Sequence, residues 1–170
     1  MNRVWIWSDL HLGHANIPKF RSKIKTVEEN TEILVENWKR FIKPDDTAIL
    51  VGDVAMTLDA LQIIAKLPGE KILVIGNHDT QRGITPVDLA GVYKKITGLI
   101  NYPGGFWISH APIHTCELFG KKNIHGHMHN AAIADPNYIN VNVDYTDMKP
   151  VLMDHIRSGA YTTHERPSLK

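Results

Sequence analysis

Four short apolar runs divide the first two thirds of the chain, and each stops at a polar turn. Val4-Trp5-Ile6-Trp7 stops at Ser8-Asp9-Leu10-His11, and Thr47-Ala48-Ile49-Leu50-Val51 stops at Gly52-Asp53. Lys71-Ile72-Leu73-Val74-Ile75 stops at Gly76-Asn77-His78-Asp79, and Phe106-Trp107-Ile108 stops at Ser109-His110. Runs this short, rich in β-branched and aromatic residues, predict strands buried on both faces. Between the first three the period changes to that of a helix. Val27, Leu34, Trp38, Phe41 and Ile42 predict a helix over 26–42, with Thr26 and Glu29 as a capping box and Pro44 beyond its end. Leu58, Leu61, Ile64, Ala65 and Leu67 predict a second helix over 57–67, stopped by Pro68-Gly69. Strand, helix, strand, helix, strand predicts an α/β layered domain.

The second half predicts shorter strands at 93–96, 99–102, 106–108, 122–125 and 138–143, with Pro103-Gly104-Gly105 as a tight hairpin. A last helix is expected over 148–157, and the tail after Gly159 reads as frayed. No linker or repeat interrupts the 170 residues, so a single domain over 1–170 is expected.

Composition narrows the function classes. With 19 Lys and Arg against 18 Asp and Glu, the net charge is +1, which does not favour a partner as charged as long nucleic acid. No apolar run approaches the ~20 residues of a membrane span. Asp9 comes too early for a signal-peptide core, so the expected location is cytoplasmic and no membrane partner is expected. One cysteine, Cys116, excludes an internal disulfide and a cysteine-based zinc site. Ten histidines stand out beside it.

Those histidines change the picture because of where they fall. In open α/β sheets the ligand site lies beyond the carboxyl ends of the strands, and that is where the polar turns sit. Asp9-x-His11 places a carboxylate and an imidazole two residues apart, on one side if the chain is extended. Asp53 follows the second strand, Asn77, His78 and Asp79 the third, His110 the strand at 106–108, and His127 and His129 the strand at 122–125. Asp9, His11, Asp53, Asn77, His110, His127 and His129 make seven candidate ligands, too many for one tetrahedral ion. Two divalent ions roughly 3.5–4 Å apart, sharing a carboxylate, would use them. Mixed oxygen and nitrogen donors favour Mn²⁺, with Fe, Zn or Ni as alternatives.

The series Asp9-x-His11, Gly52-Asp53, Gly76-Asn77-His78-Asp79, Ser109-His110 and Gly126-His127-x-His129 resembles the five-block signature of the calcineurin-like metallophosphoesterases, in order and over residues 9–129. The opening Ser8-Asp9-Leu10-His11-Leu12-Gly13-His14-x-Asn16-Ile17 is similar to the small uncapped phosphoesterases of bacteria and phages. The resemblance implies a four-layer αββα sandwich of two mixed sheets flanked by helices. It implies that Asp9, His11 and His129 hold one ion, that Asn77, His110 and His127 hold another, and that Asp53 bridges them. His78 would then protonate the leaving oxygen, with Asp79 orienting its ring. The Asp-Arg-Gly of the protein phosphatases in this superfamily is absent, since Val54-Ala55-Met56-Thr57 follows Asp53.

The expected function is dinuclear metal-dependent hydrolysis of a small phosphate ester, with phosphodiesterase action on nucleotide-like or other small diesters favoured. The alternatives are a phosphomonoesterase and a non-catalytic interaction scaffold on the same fold. His14, Asn16 and Arg82 are expected to contact substrate. Arg21, Lys121 and Lys122 are further phosphate-binding candidates, and His114 and His125 further site candidates. His155 and His164 read as surface residues, and Trp5, Trp7, Trp38 and Trp107 as core.

Overall fold

A computed structural model describes residues 2–163. Strand β1 (Val4–Trp7) runs parallel to β2 (Thr47–Leu50), β2 to β3 (Glu70–Val74), and β3 to β4 (Lys95–Thr97). Alternation along these strands divides their side chains between two cores. Trp5, Trp7, Ala48, Leu50 and Leu73 face the helices α2 (Val27–Phe41) and α3 (Leu58–Lys66), where Trp7 meets Trp38 at 5.6 Å between rings. Ile6, Ile49, Val51 and Val74 face the other way, into a core shared with a second sheet. That sheet orders β5 (Leu99–Tyr102), β6 (Phe106–Ser109), β7 (Lys122–His125) and β8 (Tyr138–Asn140), and Phe106, Ile108, Ile124 and Ile139 are its inward residues. Two mixed sheets, packed face to face and flanked by helices, make the α/β sandwich that the resemblance implied.

The helix starts follow the sequence signals. Thr26 Oγ1 accepts from Glu29 N at 3.0 Å, and Thr57 Oγ1 accepts from Ala60 N at 3.2 Å. The Glu29 carboxylate reaches one residue further back than a capping box requires, to Lys25 N at 2.6 Å.

Several elements depart from the expected boundaries. Val151–Leu152 forms β9, antiparallel to β1, so only α5 (Met153–Arg157) remains of the helix expected over 148–157. Pro150 explains this, because the residue before a proline is pushed out of the helical region. Tyr93 closes the short helix α4 (Pro86–Ala90), which the periodicity did not reveal, and β4 starts two residues later than expected. The short helix α1 (Ile17–Phe20) was likewise not foreseen. The run at 138–143 is one strand only to Asn140. It then leaves the second sheet and bridges Ser8 through Asn142, with Ser8 N donating to Val141 O at 3.0 Å and Val143 N to Ser8 O at 3.1 Å. The tail is docked as far as it is described: Thr163 is buried, and its hydroxyl oxygen accepts from Asn140 N at 2.8 Å. His164 lies outside the described residues.

Trp5, Trp7 and Trp38 are core residues, whereas Trp107 is half-buried on the outer face of the second sheet. Its indole N–H donates to Leu118 O, and the Lys121 ammonium sits 4.2 Å over the ring. The segment around the 3₁₀ turn Thr115–Glu117 covers that face.

Candidate metal centre

The loops after β1 and β2 run side by side beyond their strands. Asp9 N donates to Gly52 O, His11 N to Asp53 O and Leu12 N to Val54 O, each at 3.0 Å. The backbone here is not extended, as the two-residue spacing had been read. Asp9, His11 and Asp53 all have left-handed φ values, of 58°, 50° and 53°, and His127 has 65°. Such conformations cost about 1–3 kcal/mol each in non-glycine residues and persist where the surroundings over-determine them. At Asp53 the over-determination comes from Asp79. It is buried, and its carboxylate accepts from Asp53 N at 3.0 Å, Val54 N at 2.9 Å and Gly76 N at 2.7 Å. Burial raises its pKa against those three donors.

All seven candidate ligands meet beyond the strand ends. Asp9, His11 and His129 bring one donor atom each to within 4.8 Å of one another, and so do Asp53, His110 and His127. Nε2 of His11 lies 3.2 Å from Nε2 of His129, and Asp9 Oδ1 lies 3.4 Å from the latter. Asn77 Oδ1 joins the second group, 3.0 Å from His110 Nε2 and 3.1 Å from His127 Nδ1. Asp53 Oδ2 stands between the groups, 3.3 Å from His110 Nε2 and 4.0 Å from His11 Nε2.

The chemistry of the donors fits divalent cations. Asp9 Oδ1 is fully buried with no hydrogen-bond partner, which is costly for a carboxylate oxygen unless a cation meets it. His110 donates from Nδ1 to Val51 O at 2.8 Å and His129 from Nδ1 to Asp144 Oδ2 at 2.7 Å, so both rings can turn a bare Nε2 into the cluster. Burial pushes the His11 pKa down to about 3, which keeps that ring neutral. Burial also opposes charge on His110 and His129. There, however, the neighbouring carboxylates, Asp53 and Asp9 beside His110 and Asp144 and Asp9 beside His129, prevail and raise both to about 9. The carboxylates thus call for positive charge at the cluster, which bound divalent ions would supply.

Close approach of the loops requires glycine at three motif positions, and at Gly76 a Cβ would overlap Asp53. A Cβ on Gly126 would overlap Ser8 Oγ and Asp9 Oδ2, and one on Gly52, where φ is +84°, would overlap the His110 ring.

The remaining expected site residues separate. His78 is half-buried beside the cluster, 5.9 Å from His11 between rings. Its ring is not held by Asp79, whose oxygens are taken by the three backbone N–H groups. Instead Nδ1 donates to Gln81 Oε1 at 2.9 Å, and Gln81 Nε2 donates to Asn77 O at 2.9 Å, fixing the amide. His14 sits 5.6 Å from His11 between rings, and its pKa is lowered by burial and then by the neighbouring Arg82 charge. Arg82 is exposed with a φ of 53°, and Asn16 is exposed at the start of α1.

Other candidates lie outside the cluster. Arg21 is buried behind it and spends its guanidinium on protein acceptors, so it does not present charge to a substrate. Lys121 is bound to Asn101 Oδ1 and Trp107, and Lys122 is exposed on β7. His114 is exposed and caps the 3₁₀ turn, His155 is exposed on α5, and His125 is buried with Nδ1 donating to Gly126 O. Sequence reasoning did not single out Gln81 or Asp144. Gln81 had a signal in its spacing of three from His78, and Asp144 in the alternation Asn140-Val141-Asn142-Val143-Asp144. Asp144 and Arg21 help line a cavity of about 460 Å³, and none of the seven candidate ligands lines it.

Among known proteins, the chain is 28% identical to the Methanocaldococcus jannaschii protein MJ1445, over 92% of this chain and 90% of that one. A stretch equal to 46% of the chain is 36% identical to the gene 66 protein of Mycobacterium phage L5, of which it covers 41%. In three dimensions it matches the Aquifex aeolicus protein AQ665 with a TM-score of 0.75 at 24% identity, over 93% of this chain and 99% of that one. It matches Pseudomonas putida nuclease MPE with a TM-score of 0.52 at 20% identity, over 75% of this chain and 62% of that one. No family model matches the sequence.

Proposed function

On the metallophosphoesterase fold, we propose that this chain is a dinuclear metal-dependent phosphoesterase acting on small, nucleotide-like phosphodiesters. The observation that carries the reading is Asp53 Oδ2, which lies 3.3 Å from His110 Nε2 in its own group of donors and 4.0 Å from His11 Nε2 in the other. In the proposal Asp9, His11 and His129 hold one ion, Asn77, His110 and His127 hold the other, and Asp53 is shared. Mn²⁺ is the proposed native metal and the cytoplasm the proposed location; no helix among the described residues is long and apolar enough to cross a membrane. When bound, the two ions would supply an ionised water near neutral pH and neutralise charge growing on the phosphoryl oxygens.

The chain's own groups do the rest. His78 donates a proton to the leaving oxygen, and Gln81, by holding Nδ1, leaves Nε2 as the donating atom. The His78 main-chain N–H donates to Asp53 Oδ1 at 2.9 Å, which fixes the acid relative to the shared carboxylate. His14 and Arg82, near His78, bind the phosphate or the ester group beyond it, together with Asn16, whose main-chain N–H donates to His14 Nδ1 at 3.2 Å. The diester preference is supported by the segment after Asp53. Val54, Ala55 and Met56 are buried, so no cation stands there to clamp the second charge of a monoester.

The test is hydrolysis of bis-p-nitrophenyl phosphate against p-nitrophenyl phosphate, with Mn²⁺ and with chelator. The expected result is chelator-sensitive activity that is higher on the diester. Higher activity on the monoester reverses the substrate preference. Absence of metal-dependent activity on both, and on a nucleotide panel, removes the enzymatic reading and leaves a scaffold.

A further inference from the structure

The two groups of candidate ligands are supported differently from behind. In the second group His110 Nδ1 donates to a neutral acceptor, the Val51 carbonyl oxygen. In the first, His129 Nδ1 donates to a carboxylate, Asp144 Oδ2, at 2.7 Å. The other oxygen of Asp144 accepts from Arg21 Nε, also at 2.7 Å. Arg21 is 5% exposed, and its remaining donors reach back to the first loop: Nη1 to Leu10 O at 3.1 Å and Nη2 to Asp9 O. Nη1 also donates to Asn30 Oδ1 at 2.7 Å, and Asn30, fully buried on α2, donates to Leu10 O at 3.2 Å. One guanidinium therefore ties the backbone of Asp9 to the ring of His129.

Asp144 is itself set in place by a relay of asparagines. Asn142 N donates to Asn140 Oδ1 and Asp144 N to Asn142 Oδ1, both at 2.9 Å, while the same segment bridges Ser8. A buried guanidinium needs a partner, and a histidine bonded through Nδ1 to a carboxylate is a stronger base at Nε2 than one bonded to a carbonyl.

We infer that Asp144 and Arg21 are positioning residues for the first metal position alone, Asp144 fixing the His129 ring with Nε2 bare and Arg21 locking that ring to the Asp9 loop. This rests on the proposed metal reading. An asparagine at 144 cannot serve both neighbours. Turned one way, its NH₂ opposes the Arg21 guanidinium. Turned the other way, it donates to His129 Nδ1 and moves the ring proton to Nε2, where it blocks ligation.

The experiment is Mn²⁺ titration of the full chain, read by electron paramagnetic resonance and calorimetry, for wild type, Asp144→Asn, Asp144→Glu and Arg21→Lys. Wild type is expected to bind two ions with a spin-coupled signal. Asp144→Asn is expected to weaken one ion by about 10–100-fold, leave the other at wild-type affinity and lose the coupled signal. Asp144→Glu and Arg21→Lys should fall between, which keeps the test open should the asparagine variant fail to fold. Wild-type affinity at both positions, or equal weakening of both, overturns the proposal. A wild type that binds no Mn²⁺ removes the metal reading. The positioning claim is then decided on the metal-free protein by the proton spectrum, where the downfield Nδ1–H resonance of His129 must be present in wild type and lost in Asp144→Asn.

Discussion

The main-chain N–H of His127 donates to Asp9 Oδ2 at 2.9 Å, joining the first and last motif blocks across 118 residues of chain. Ser8 Oγ donates to the same oxygen, so Oδ2 is saturated by protein donors and only Oδ1 faces the cluster. In Asp9→Asn the amide oxygen must keep those two donors, which turns the NH₂ toward His11 and His129. The expected outcome is loss of one metal equivalent, with affinity falling by more than the 10–100-fold that outer contacts are worth. Metal content by mass spectrometry after gel filtration checks it; two retained equivalents would contradict the role given to Asp9.

The strand ends were legible because buried strands announce themselves as apolar runs, and the polar residue closing each run is what reaches the site. The spacing Asp9-x-His11 led to the right neighbourhood by the wrong geometry. The chain was read as extended, whereas left-handed φ values at both residues aim the side chains, and nothing local in Asp9 or His11 encodes those values. They follow from long-range donors and acceptors at Gly52, Asp53 and Asp79. Asp79 follows the same rule: its adjacency to His78 is visible in a sequence, while the main-chain N–H groups of Asp53, Val54 and Gly76 that claim its carboxylate are not. Helix α4 had a signal in Thr85-Pro86-Val87-Asp88, where Thr85 and Asp88 form a reciprocal capping box, but five residues are too few for a helical period to stand out.

His78 holds its place through its backbone as well as its ring. His78→Ala therefore keeps the N–H that donates to Asp53 Oδ1, and both metal equivalents are expected to remain. Turnover is expected to drop by about 10²–10⁴-fold, the usual worth of a general acid, and to drop most for esters with basic leaving groups. Gln81→Ala frees Nδ1 and is expected to cost about 5-fold, in line with one hydrogen bond. Steady-state rates on a series of aryl diesters separate the two, and a His78→Ala variant as active as wild type removes His78 from the reaction.

Gly126 is the tightest point of the site, since any Cβ there would occupy the space of Ser8 Oγ and Asp9 Oδ2. Gly126→Ala is expected to destabilise the fold by roughly 1–3 kcal/mol, as overpacking does, and to lower metal occupancy with it. Gly98→Ala is the control, because no atom lies within 4 Å of a Cβ built at that position. Thermal unfolding of both variants, with and without Mn²⁺, reads the difference; equal melting temperatures would show that the loops have room to part.

Far from the site, Asp46 fastens the start of the first sheet. It is buried and accepts from Arg3 N and Lys43 N, each at 3.0 Å, and from the Trp5 indole N–H at 3.1 Å, with the Arg3 guanidinium also at 3.1 Å. Burial alone would raise its pKa, but the Lys43 and Arg3 N–H groups, the indole and the guanidinium hold it at about 2, below the ordinary 3.8. A carboxylate depressed in the folded state binds its proton more readily when unfolded, so its contribution is complete above 3.8 and is lost as pH falls toward about 2. Asp46→Asn is expected to lower stability at pH 7 by roughly 1–3 kcal/mol, the worth of hydrogen bonds to a charged group. The gap from wild type should narrow through that acid window. Urea denaturation of both proteins at pH 7, 4 and 2.5 measures it. A gap that stays constant across the series would mean that the Asp46 charge contributes nothing and that only its shape matters.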